Sequence, residues 1–159
     1  MKYLIYVSYD GAKFYGFQRL NGHKSVQEEL ENCLTKINKN KVLVKGAGRT
    51  DRGVHAYNQA VSFELNINIT CDGLKRALNS LLDDSIYVNR VLEVDKDFHA
   101  RFSVIEKTYT YVINMGEYAP VENDYLYNYN KNLNVSKMKK AIKYLKGMHD
   151  FEVFTSGER

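Results

Sequence analysis

The sequence predicts an α+β fold. Three observations carry that reading: short segments in which β-branched and aromatic residues alternate with period two, two segments with apolar residues at helical spacing behind a capping residue, and their order along the chain. Residues 3 to 9 set Tyr3, Ile5, Val7 and Tyr9 against Leu4, Tyr6 and Ser8, the pattern of a strand with apolar residues on both faces. A loop follows, DGAKFYGFQRLNGHK at 10 to 24, with three glycines, two lysines, an arginine and three aromatics. Ser25 and Glu28 form a capping box, in which hydroxyl and carboxylate each satisfy a backbone donor left over at a helix start. Val26, Leu30, Cys33, Leu34 and Ile37 then mark the helix's apolar stripe.

Lys41 to Lys45 reads as a short strand, 46 to 53 as a glycine-bearing loop, and Tyr57 to Leu65 as a strand alternating Tyr57, Gln59, Val61, Phe63 and Leu65. The second helix presents Leu74, Ala77, Leu78, Leu81 and Leu82, with Asp72 as its expected cap. Ile86 to Val94 is the next strand. The order β-α-β-β-α-β over residues 3 to 94 is the ferredoxin-like, split βαβ arrangement, with two helices on one face of an antiparallel sheet. Beyond it the opening is repeated in part: a strand from Lys107 to Asn114, a tyrosine-rich connection, and a helix from Ser136 to about Lys146 with Met138, Ala141, Ile142 and Leu145 on one face and Gly147 as cap. The expected organisation is a first subdomain at 1–104 and, at 105–159, the beginning of a second, similar but incomplete one.

With 44% hydrophobic and 26% charged residues, the 159-residue chain has the composition of a soluble globular protein. It contains no apolar run of the roughly 20 residues that span a bilayer, and MKYLIYVSYD is too short and too alternating for a signal peptide, so a cytoplasmic protein without membrane contact is expected. Cys33 and Cys71 form no CxxC pair and have no histidine at ligand spacing, which argues for reduced thiols and against a metal centre. A net charge of +4 favours an anionic partner, and thirteen tyrosines with seven phenylalanines supply rings that fill a core or stack on bases.

The densest chemistry lies in GAGRTDRGVHA, residues 46 to 56, where Arg49, Asp51, Arg52 and His55 stand among three glycines. A dinucleotide fingerprint is excluded because Asp51 occupies the third glycine position and no helix follows. Asp51 and His55 as ligands of a phosphodiesterase metal is a weak alternative, since two arginines would repel the cation. The same guanidiniums favour an ionised carboxylate and can grip phosphate. Residue types alone leave two readings open: covalent chemistry on a nucleotide, or a salt-bridged turn that ties two strands together.

GRTDRGVHA resembles the catalytic motif of tRNA pseudouridine synthases of the TruA type, in which the aspartate of GRTD is catalytic; the resemblance makes Asp51 that residue. YDGAKFYGFQR at 9–19, SVQEELE at 25–31, DFHARFS at 97–103, KTYTYVI at 107–113 and LKGMHDF at 145–151 are similar to five further blocks of that family, in the same order. Phe17 stands where the family has tryptophan, and Asp83 and Asp84 stand where a proline is usual. Family members also run about a hundred residues longer, through a later basic residue and a hydrophobic segment at the pocket.

The resemblance implies an isomerase that converts uridine to pseudouridine in the anticodon stem-loop of tRNA, with Asp51 as nucleophile or as the group that forms a glycal, and with no redox cofactor and no metal. It implies that Tyr109 stacks on the flipped uracil, that Arg49 holds the vacated position or a phosphate, and that Arg101 and His99 lie near the site. Lys13, Arg19, Lys24 and Arg52 are candidates for following the RNA backbone. Tyr111 reads as packing, His55 as a hydrogen-bonding residue of the loop, and His149 and Asp150 as turn residues. A homodimer with tRNA lying across both subunits is implied for the full-length enzyme; the alternative is a truncated chain that binds RNA without catalysis.

Overall fold

The computed structural model describes residues 1–154 and divides them into two compact units, the first at 1–110 and the second from 111 onward. The first unit is the split βαβ arrangement. Its strands are β1 (Lys2–Tyr9), β2 (Lys45–Gly46), β3 (Ala56–Glu64) and β4 (Ile86–Val94), in the sheet order β2-β3-β1-β4 with every neighbouring pair antiparallel. Helices α1 (Val26–Asn38) and α2 (Cys71–Leu81) connect them. Tyr3, Ile5, Val7 and Tyr9 of β1 are buried with Val61 and Phe63 of β3, Val88 and Val91 of β4, Leu30 and Leu34 of α1, and Leu74 and Leu78 of α2. Burial of this many branched and aromatic side chains is the driving force that holds two short helices on the sheet.

Most element boundaries follow the sequence pattern, and the exceptions have physical reasons. Ser25 caps α1 by accepting a hydrogen bond from the Glu28 amide at 3.3 Å. The cap of α2 is Thr70, whose hydroxyl accepts from the Gly73 amide; Asp72, the expected cap, lies inside the first turn, where its charge suits the helix dipole. The strand expected at 41–45 shrinks to Lys45–Gly46. Its alternation is real, with Val42 and Val44 buried, but the Val42 amide donates to Thr35 Oγ1 and the Val44 amide to Glu31 Oε1. Side chains of α1 thus take the donors that a ladder would have used.

β3 carries a bulge near its start, since Val7 pairs with Gln59 and Tyr9 with Ala56, leaving two residues opposite Ser8. Such bulges bend a strand and re-aim the segment that feeds it. Here that segment is the loop bearing Asp51. On the sheet face away from the helices, the buried Ser62 hydroxyl accepts the Ala100 amide at 3.1 Å, which fastens the chain after β4 to the sheet.

The strand expected from Lys107 to Asn114 begins in the first unit and is reduced to β5 (Ile113–Asn114) in the second, paired parallel with β6 (Tyr127–Asn128). Residues 107–112 are exposed and make no ladder, the ordinary fate of alternating sequence with no partner strand beside it. The last helix, α3 (Val135–Ala141), is capped by Asn134 and continues as a single 3-10 turn over Ile142–Tyr144. Gly147 has φ +111°, and His149 hydrogen-bonds the Lys146 carbonyl at 3.0 Å in the turn beyond. Among the described residues no helix is long and apolar enough to cross a membrane.

Candidate active site

Asp51 is exposed at the corner of a turn closed by a hydrogen bond from the Val54 amide to the Asp51 carbonyl, 3.2 Å. Gly53 occupies the third position of that turn with φ +80°, the value a type II turn demands and glycine supplies without strain. The residue before Asp51 is held from two sides. The Thr50 hydroxyl shares a 2.8 Å hydrogen bond with the Tyr9 hydroxyl at the end of β1, and the Thr50 carbonyl accepts the Phe17 amide at 3.0 Å. Burial pushes the Tyr9 phenol above its ordinary pKa, with the Thr50 hydrogen bond working the other way. Upstream, Gln59 Nε2 donates to the Gly48 carbonyl at 2.6 Å and the Ala47 amide to the Ala60 carbonyl at 2.8 Å. A carboxylate fixed in this manner has lost its backbone freedom before any substrate arrives.

The opening loop supplies the other half of the clamp. Phe17 is buried, its ring 6.4 Å from that of Tyr9, and its carbonyl accepts the Gln27 amide of α1 at 2.8 Å. The large ring at this position is therefore part of the core and carries no exposed face. Gly16 lies so close to the Asp51 loop that a β-carbon there would stand 2.7 Å from the Thr50 carbonyl oxygen. His55 Nδ1 accepts the Gly11 amide at 3.1 Å and lies 3.2 Å from Asp10 Oδ1, which ties the far end of the Asp51 loop to the end of β1.

The basic candidates divide into two groups. Arg19 pairs with the buried Glu31, and Lys24 pairs with Asp83 at 2.9 Å while lying over the Phe14 ring. Hydrogen bonds from Ser85 first, then from Lys24, hold the Asp83 carboxyl far below the usual carboxylate range. Arg52 stacks on the Tyr15 ring at 4.3 Å, and that ring stacks on His23 at 4.2 Å. Lys13 is exposed at the end of a 3-10 turn. The second group converges: Arg49, His99 and Arg101 line one open groove of about 470 Å3, together with Lys45, Lys107 and Phe102. Nothing in the sequence sets Lys45 and Lys107 apart, because a lysine at a strand edge and another at a block boundary look like ordinary solvated charges. Tyr109, two residues beyond Lys107, is 70% exposed and makes no hydrogen bond among the described residues. Asp51 itself is not among the groove's lining residues; it stands two positions beyond Arg49.

A profile of the tRNA pseudouridine synthases matches residues 5–103, which contain all of the sheet but the first three residues of β1, both of its helices and the Asp51 loop. The chain belongs to the tRNA pseudouridine synthase family. Among its curated relatives, a tRNA pseudouridine synthase A of Borreliella afzelii is 40% identical over 156 residues, covering 97% of this chain and 63% of the relative. Proteins of the same name from Borreliella burgdorferi and Thermosipho melanesiensis are 41% and 38% identical, over 97% and 98% of the chain. The chain thus spans a little under two thirds of the length of these synthases.

Proposed function

We propose that the protein isomerises uridine to pseudouridine in the anticodon arm of tRNA, with Asp51 as the catalytic carboxylate. The reaction breaks the bond between C1′ and N1, turns the uracil, and joins C1′ to C5, so that no atom is gained or lost. A carboxylate acting as nucleophile fits an exposed side chain on a backbone that cannot retreat. The observation that carries the reading is Asp51 on a turn clamped from β1, from β3 and from the opening loop, two positions beyond Arg49, which lines a groove of basic side chains. A salt-bridged turn would have spent the Asp51 carboxylate on its arginine neighbours. Instead, no ion pair to Asp51 occurs among the described residues, and Arg52 turns to Tyr15.

In this reading the target nucleotide is flipped out of its stack, at a cost of a few kcal/mol. Arg49 at the groove takes the vacated position or a neighbouring phosphate, Arg101 and His99 contact the strand, and the open face of Tyr109 stacks on the uracil. Residues 105–159 are the opening of a second subdomain, and the enzyme works in the cytoplasm as a homodimer. The test is tritium release from tRNA carrying 5-tritiated uridine. Asp51→Asn keeps shape and removes charge, so it should abolish release while tRNA binding persists; activity within tenfold of the parent would remove Asp51 from its role. No release by the parent chain, with salt-sensitive tRNA binding retained, would leave an RNA-binding chain without catalysis.

A further inference from the structure

Three basic side chains beside the sheet have a carboxylate of their own: Lys2 has Glu64, Arg19 has Glu31 and Lys24 has Asp83. The groove at β2 instead gathers several cations at one place. Lys45, Arg49, Arg101 and Lys107 line it, no aspartate or glutamate does, and none of the four enters an ion pair among the described residues. Four like charges around one cleft repel one another, and the arrangement gains stability only when an anion enters. The fold places two of these residues. The Lys107 ammonium lies over the backbone of Gly48, where an added β-carbon would stand 3.5 Å from Nζ, and Lys45 belongs to the edge strand paired with β3. At the rim Phe102 is 77% exposed, with the His99 ring 4.5 Å away and the Arg101 guanidinium over its face at 5.7 Å. A ring open on one side and backed by a guanidinium suits a nucleobase.

We propose that this groove is a track for RNA sugar-phosphate backbone next to the reacting nucleotide, with Lys45 and Lys107 as phosphate ligands and Phe102 as a stacking platform. The assignment rests on the reading that the substrate is RNA, and it adds two lysines and a ring to the residues that reading names. Lys45 and Lys107 bracket the groove from the strand side and from the segment after β4, so that a strand lying in it meets positive charge on both walls. The absence of any lining carboxylate leaves phosphate unopposed.

The test is the salt dependence of tRNA binding by the chain, made in the Asp51→Asn background to prevent turnover. Removing one cation that holds a phosphate lowers the slope of log K against log salt by about 0.7 to 0.9. Lys45→Gln with Lys107→Gln should therefore flatten the slope by about 1.5, so that the fall in affinity between 50 and 200 mM salt shrinks about eightfold. Lys36→Gln with Arg76→Gln, which removes the same charge from the exposed surfaces of α1 and α2, should leave the slope within about 0.5 of the parent's. Amine acetylation of the parent protein gives a readout that needs no variant: bound tRNA should protect Lys45 and Lys107 and leave Lys36 reactive. Equal slopes for the two double variants, or no protection, would overturn the groove assignment alone. A parent chain whose tRNA binding ignores salt would overturn the RNA reading with it. Polyglutamate displacing tRNA as well as unlabelled RNA does would move the groove to an acidic protein partner and overturn the assignment.

Discussion

Gly16→Ala should damage both stability and the Asp51 loop, and the structure says by how much. Gly16 has φ +100°, outside the range an L side chain adopts comfortably, and a β-carbon would stand 2.7 Å from the Thr50 carbonyl oxygen and 3.3 Å from the Asp51 carbonyl carbon. The left-handed backbone costs about 1–2 kcal/mol. Relief of the clash requires the loop to move away, which breaks the hydrogen bond from the Phe17 amide to Thr50, worth about 1 kcal/mol. Together these amount to a loss of about 2–3 kcal/mol, or roughly 10–20 °C in Tm for a unit of this size. Gly53→Ala is the internal comparison. Its φ of +80° carries the same backbone cost, but no heavy atom lies within 4 Å of the new methyl group, so the loss should be about half. Thermal denaturation followed by circular dichroism measures both. At a temperature where both variants are folded, and with Asp51 in its proposed role, displacement of Asp51 by about 1 Å should also lower kcat for tritium release about a hundredfold in Gly16→Ala. Equal Tm losses for the two variants, or a Gly16→Ala enzyme with kcat within threefold of the parent, would refute the idea that the opening loop sets the position of Asp51.

Glu31 is 2% exposed and accepts from the Val44 amide and Gln27 Nε2 as well as pairing with Arg19; Glu31→Ala should cost about 2–3 kcal/mol in urea denaturation and Glu31→Gln, which keeps an acceptor, about 1. The depressed pKa of Asp83 contributes stability that is fully present above the unfolded value of about 3.9 and is lost as pH falls through the lower, folded value. Asp83→Asn should therefore be less stable than the parent at pH 7 and converge on it below pH 4, and a constant difference across that range would show that the charge is not involved. Tyr109→Phe should retain most of the activity and Tyr109→Leu lose at least tenfold if stacking is the residue's duty; equal losses would assign the duty to the hydroxyl.

The sequence by itself determined the sheet, both of its helices and the loop that carries the chemistry. Alternation in β1, β3 and β4 and the apolar stripes of α1 and α2 are local patterns, and the cluster of Arg49, Asp51, Arg52 and His55 among glycines is visible without a fold. Burial then added what a linear pattern does not record. Glu31 looks like a solvent-facing charge in a helix, yet it is buried and takes the Val44 amide, which is why the strand at 41–45 is cut to two residues. Lys107–Asn114 alternates well, but a strand exists only where a neighbour completes its hydrogen bonds, and residues 107–111 have none. Arg19, Lys24 and Arg52 are equivalent to Lys45 and Lys107 as letters; only the tertiary structure separated them, by giving the first three a carboxylate or an aromatic ring and leaving the other two in a groove with no carboxylate. Periodicity encodes which face of an element is apolar. Which charge meets which partner is decided by contacts between residues far apart in the chain.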